Sequence, residues 1–183
     1  MTRKLQIGVM GSAADLKYAQ TVQDLAERLG ELLALRGVTV VYGAEKDYDS
    51  LSTSAARGAK RAGGLTVGVT YGKGKKIWDQ RGDTDVIIAT GLERGGGREF
   101  VLVNSCDAII AVAGGSGTLT ELAIAYQSSI PMVALTGAGG WADELAGRYF
   151  DSRPNRQMVL PATTPEEAVE IAIREATKQV EVE

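Results

Sequence analysis

The chain has 183 residues, 44% of them apolar, with 20 basic and 23 acidic side chains and a net charge of -3. That length suits one domain with a single substantial core, expected here over residues 1–183, and the charge balance gives no electrostatic case for wrapping nucleic acid. One cysteine, Cys106, and no histidine exclude an internal disulfide, a zinc site of the usual kind, and every Ser-His-Asp or Cys-His arrangement.

Acid or base chemistry therefore falls to carboxylates, lysine or tyrosine. No run approaches the ~18 apolar residues needed to cross a bilayer, and Met1-Thr2-Arg3-Lys4 leads straight into strand-like residues. The expectation is a cytoplasmic protein without a membrane partner.

Short apolar runs alternate with longer amphipathic stretches, the pattern of a parallel sheet covered by helices on both faces. A first strand is expected over residues 5–10, ending in Gly11-Ser12. A helix follows over 15–36, with Val22, Leu25, Leu29, Leu32 and Leu33 on one face. Gly37 ends it before a second strand at 38–42 and a polar loop at 44–50. The next helix reaches Ala62, and Gly63-Gly64 precedes a third strand at 65–70.

Residues 71–85 are polar and lysine-rich, residues 86–89 a short apolar run, and Gly95-Gly96-Gly97 opens another helical segment. Further strands are expected at 107–113, 131–136 and 158–160, with a helix over 118–129. Thr164, Pro165 and Glu167 stand in the order of an N-cap, a first-turn proline and a capping-box acid before the last helix. The fold class is α/β: a doubly wound, Rossmann-like parallel sheet in three α/β/α layers.

The segment Gly114-Gly115-Ser116-Gly117-Thr118 joins a buried strand to a helix through a turn with almost no side chains. Such a turn bares backbone N–H donors at the positive end of a helix dipole, and glycine lets a phosphate approach the main chain. In a doubly wound sheet the first strand commonly neighbours the fourth, which brings Gly11 and Ser12 to the same crevice as this loop. No stretch fits the P-loop or the G-x-G-x-x-G dinucleotide pattern, so ATP hydrolysis and dinucleotide redox chemistry are disfavoured.

Two charged residues have competing readings. Glu121, three residues after Thr118, completes Thr-x-x-Glu, either a capping box or a carboxylate on the crevice wall near a ligand's sugar. Arg98, behind three glycines, is either a solvated arginine or one that swings onto a phosphate or pairs with Glu121. Lys73, Lys75, Lys76 and Arg81 form a basic loop that reads as a solvated edge, and Cys106 as a small core residue. Tyr71 and Trp78 either stack a base or pin their loop.

Gly114-Gly115-Ser116-Gly117-Thr118-Leu119-Thr120-Glu121 resembles the Gly-Gly-x-Gly-Thr-x-x-Glu motif of the Lonely Guy-like, lysine-decarboxylase-labelled Rossmann family, with Arg98 aligned to its arginine. The resemblance spans most of the chain, includes a weaker echo from Ala55 to Leu65, and points to the subgroup of nucleotide-binding and molybdenum-cofactor-carrier-like members.

It implies a homodimer or larger assembly and an AMP-like ligand. In the enzymatic members it also implies phosphoribohydrolase action, with Arg98 and Glu121 catalytic and no metal or organic cofactor. The alternative it implies is a non-catalytic carrier or sensor of a nucleotide or pterin phosphate. This chain departs from the family pattern at the loop running from Ala44 to Leu51, where a glycine triplet is usual. It departs again at Ala113, where enzymatic members carry proline.

Overall fold

The computed structural model describes residues 3–14, 17–79, 82–153 and 157–180. Seven parallel strands form one sheet: β1 (Gln6–Gly11), β2 (Thr39–Gly43), β3 (Thr66–Thr70), β4 (Val86–Ala89), β5 (Ala108–Val112), β6 (Met132–Leu135) and β7 (Val159–Ala162). Their order is β4-β3-β2-β1-β5-β6-β7. The chain thus runs outward from β1 to one edge, returns to pair β5 beside β1, and runs out again. Register pairs Ile7 with Ala108 and Gly11 with Val112, so both strands end level with one another. The expected adjacency holds, but the partner is the fifth strand, because the short run at 86–89 is a full edge strand.

Helices α1 (Gln20–Leu35), α2 (Leu51–Arg61) and α6 (Pro165–Val180) cover one face of the sheet. Helices α3 (Gly97–Asn104), α4 (Ser116–Gln127) and α5 (Gly140–Leu145) cover the other. On the first face Ile7, Val9, Val40, Ile110 and Val112 pack against Leu29, Leu33 and the α6 alanines. On the second, Met10, Val41, Val69, Ile109 and Ala111 pack against Leu102, Leu122 and Tyr126. Side chains alternate along the strands and the central strands are buried on both sides, as the continuous apolar runs require, while edge strand β4 stays partly exposed.

Helix α1 begins later than its periodicity suggests. Lys17 has φ +52° and Ala19 is extended, so the helical path opens only at Gln20; residues 15 and 16 lie outside the described residues. The crossing of α1 with α2 explains the small-residue echo from Ala55 onward. A Cβ on Gly30 would enter the Ala55 carbonyl, and one on Gly58 would enter that of Glu27, so two glycines let the backbones meet. Arg57, buried in α2, is held by Asp49 at 3.0 Å and by Ser54 Oγ at 2.8 Å, tying the loop before α2 to the helix.

At the start of α6 the Thr164 hydroxyl accepts from the Glu167 N–H at 3.2 Å. The Glu167 carboxylate reaches back to the Thr163 N–H at 2.7 Å, one residue before the cap. Among the described residues no helix is long and apolar enough to cross a membrane.

Candidate functional site

Where the order of strand addition reverses, between β1 and β5, the strand ends leave a crevice of the kind that doubly wound sheets present to ligands. The loop after β1 is bound to its neighbours from both sides. The Ser12 hydroxyl accepts from the Gly114 N–H at 2.8 Å, and the Ser12 carbonyl accepts from the Leu51 N–H at 2.9 Å. A cavity of about 170 Å³ lies among these ends. Gly11, Ser12, Arg98, Gly115, Ser116, Gly117, Thr118 and Glu121 line it together with Gly43, Glu45 and Arg94; Gly114 does not line it but holds the Ser12 hydroxyl. Drug-sized ligands occupy roughly 300–1,000 Å³, so this space suits a phosphate and sugar more than a whole nucleotide.

The glycine loop is fixed from its outer side. The carbonyls of Ala113 and Gly114 accept from the Ala142 and Trp141 N–H groups at 2.9 and 3.0 Å, and a Cβ on Gly140 would sit 2.6 Å from the Gly114 oxygen. Gly114 has φ +103°, and Ala113 itself is left-handed at φ +51°. A proline at position 113 would need φ near -65°, so the departure from the enzymatic pattern changes the backbone path into the loop.

Helix α4 starts at Ser116 with Gly115 as its N-cap, two residues earlier than expected. Thr118 is therefore the third helical residue and not the cap, and Glu121 lies in the second turn, so Thr-x-x-Glu is not a capping box here. Gly115 brings no side chain to cap the first turn, whose residues Ser116, Gly117 and Thr118 line the cavity at the positive helix end.

Beside that helix end lies a buried charge cluster. Arg98, 4% exposed, places Nη2 3.0 Å from Glu45 Oε1 and 3.0 Å from Glu99 Oε1. It is neither a solvated arginine nor paired with Glu121, which has no ion-pair partner among the described residues. Gly43 makes room for it: a Cβ there would collide with Nη1. The other Glu99 oxygen accepts from the Gly95 and Gly96 N–H groups at 2.9 and 2.7 Å and so fixes the start of α3.

Burial pushes the Glu121 carboxyl up to about 8; Arg98 opposes the shift, and Glu99 and Glu45 reinforce it. Near neutral pH burial thus favours the protonated carboxyl, which can donate a hydrogen bond. Glu45 and Gly43 carry no motif; the one signal for Glu45 is that it is the first of three carboxylates, with Asp47 and Asp49, past the β2 end.

The remaining candidates lie elsewhere. Lys73, Lys75 and Lys76 are exposed and off the cavity, and Arg81 lies outside the described residues. The Trp78 backbone N–H donates to the Glu45 carbonyl at 2.8 Å and the Tyr71 ring lies under Lys46 Nζ at 5.3 Å; neither aromatic lines the cavity. Cys106 is buried, its thiol pushed up by desolvation and donating to the Leu102 carbonyl at 3.2 Å. Among the described residues no group of three or more carboxylates, cysteines or histidines could hold a metal ion.

Comparison with known proteins places this geometry in context. The X-ray structure of TM1055 is similar over 94% of this chain and 99% of its own, with TM-score 0.80 and 28% identity. The molybdenum cofactor binding protein from the phototrophic bacterium Rippkaea orientalis is 32% identical, with TM-score 0.75 over 95% and 98% of the two chains. The molybdenum cofactor carrier protein from Chlamydomonas reinhardtii is 28% identical, with TM-score 0.78 over 96% and 99%. A model of the SLOG cluster4 family matches residues 4–169, and the chain belongs to that Lonely Guy-like family.

Proposed function

We propose that the protein binds a nucleoside-monophosphate-like phosphorylated small molecule in the cytoplasm, with its phosphate on the first turn of α4 at Gly115, Ser116, Gly117 and Thr118. The observation that carries this reading is the uncapped helix end opening into a small cavity beside a carboxyl held neutral at pH 7. Gly11, Ser12 and Gly114 hold the cradle in place, Arg98 positions Glu45, and Glu121 donates to the ligand's sugar or base. Exposed Val86, Ile88, Leu92 and Phe100 around edge strand β4 and α3 support assembly with a second copy.

Cleavage of the N-glycosidic bond, with water giving free base and ribose 5-phosphate, is the finer claim. Stabilising a ribosyl cation calls for the ionised form of Glu121, so base release should rise as pH passes about 8. A second reading, a non-catalytic carrier of a nucleotide or pterin phosphate, draws support from the two molybdenum cofactor proteins and from the left-handed Ala113. Incubation with AMP, followed by chromatography for adenine and by calorimetry for binding, separates them: binding with base release supports the hydrolase, and binding without it the carrier.

A further inference from the structure

We propose that Arg94, not Arg98, is the arginine that grips the ligand's phosphate. The assignment rests on the phosphate-binding reading and follows from what each guanidinium already does. Arg98 Nη2 serves two buried carboxylates, Nη1 lies against Gly43, and Nε is enclosed without a partner. Turning it toward a ligand would strand Glu45 and Glu99 without their counter-charge in a dry environment.

Arg94 stands differently. Its side chain is 45% exposed on the cavity wall shared with Ser116 and Gly117. Its Nε lies 3.6 Å from Glu45 Oε2, beyond hydrogen-bonding distance, and that oxygen has no hydrogen-bond partner. The guanidinium is steadied 5.3 Å over the Tyr48 ring. Just after it the Gly95 and Gly96 N–H groups are held by Glu99, so the chain beyond Arg94 is anchored while its own half-exposed side chain is engaged by Glu45 and Tyr48. A planar fork with this freedom matches the phosphate oxygens that the helix N–H groups leave unpaired.

Calorimetry with AMP and with adenosine on the full chain tests this. Arg94→Ala should weaken AMP binding roughly 10- to 100-fold, leave adenosine binding unchanged, lower the unliganded Tm only slightly, and flatten the salt dependence. Arg94→Lys should recover part of the loss. Because Arg94 also neutralises Glu45, Arg94→Ala is repeated with Glu45→Gln; binding that stays weak supports a direct contact, and binding that recovers overturns it. Equal weakening of AMP and adenosine also overturns it. If Gly117→Glu abolishes AMP binding while Arg94→Ala binds as the natural protein does, this inference fails and the phosphate site stands. If the natural protein takes up no AMP, GMP or inorganic phosphate, both fail.

Discussion

Arg98 Nη2 lies 3.0 Å from Glu45 Oε1, joining the start of α3 to the loop after β2 across the mouth of the sheet, with both side chains at least nine-tenths buried. The ion pair needs Gly43, which stands under the guanidinium.

Gly43→Ala should therefore act through the arginine. The added methyl must push Arg98 off its two carboxylates or shift the β2 end, at a cost of about 1–3 kcal/mol. Thermal unfolding should register that loss, and AMP affinity should fall with it. An unchanged Tm would mean that the guanidinium moves aside freely.

Removing one partner should cost more. Arg98→Ala leaves Glu99 buried without its arginine and Glu45 with only Arg94 at 3.6 Å, a loss of about 3–5 kcal/mol. Arg94→Ala, at a half-exposed side chain, should cost about 1 kcal/mol or less. Urea denaturation of the two variants checks the ordering, and equal losses would argue against a buried role for Arg98.

Much of the fold was legible in the sequence because each β-strand is a continuous apolar run and each long helix has an apolar stripe. The loop from Gly114 to Thr118 was legible as an anion site for the same local reason. What escaped was non-local or hidden by glycine. Glu45 has no motif, and its partner Arg98 is 53 residues away. Ser116 and Gly117 looked like loop because glycine is a poor helix former, yet they begin α4. The six residues of α5 open on Gly139 and Gly140, whose left-handed backbone let Gly140 press on the glycine loop, a contact that no periodicity reveals.

Glu121 makes the stability pH-dependent with a definite sign. Its folded pKa, about 8, stands above the ordinary carboxyl value of 4.5, so the folded state holds the proton more tightly. Its contribution is complete below pH 4.5 and is lost as pH rises toward 8, with a slope of up to about 1.4 kcal/mol per unit. Glu121→Gln removes this term, so its Tm relative to the natural protein should climb between pH 5 and 8 and level off above. Parallel Tm curves would count against a neutral carboxyl.

The same titration reaches the ligand. Above pH 8 an ionised Glu121 joins Glu45 and Glu99 around Arg98 and Arg94, and the added negative charge opposes a phosphate dianion. AMP affinity should decline above pH 8 in the natural protein and stay flat in Glu121→Gln, as calorimetry at pH 7, 8 and 9 would record.

The measurement that bears most directly on the central claim is AMP binding by Gly117→Glu. A Cβ at Gly117 meets nothing within 4 Å, so a side chain fits without strain, and a carboxylate in the first turn of α4 favours the helix. The variant should keep or raise the Tm of the natural protein while losing AMP binding, because its charge occupies the phosphate cradle. Natural affinity in this folded variant would contradict a phosphate site at the α4 N-terminus.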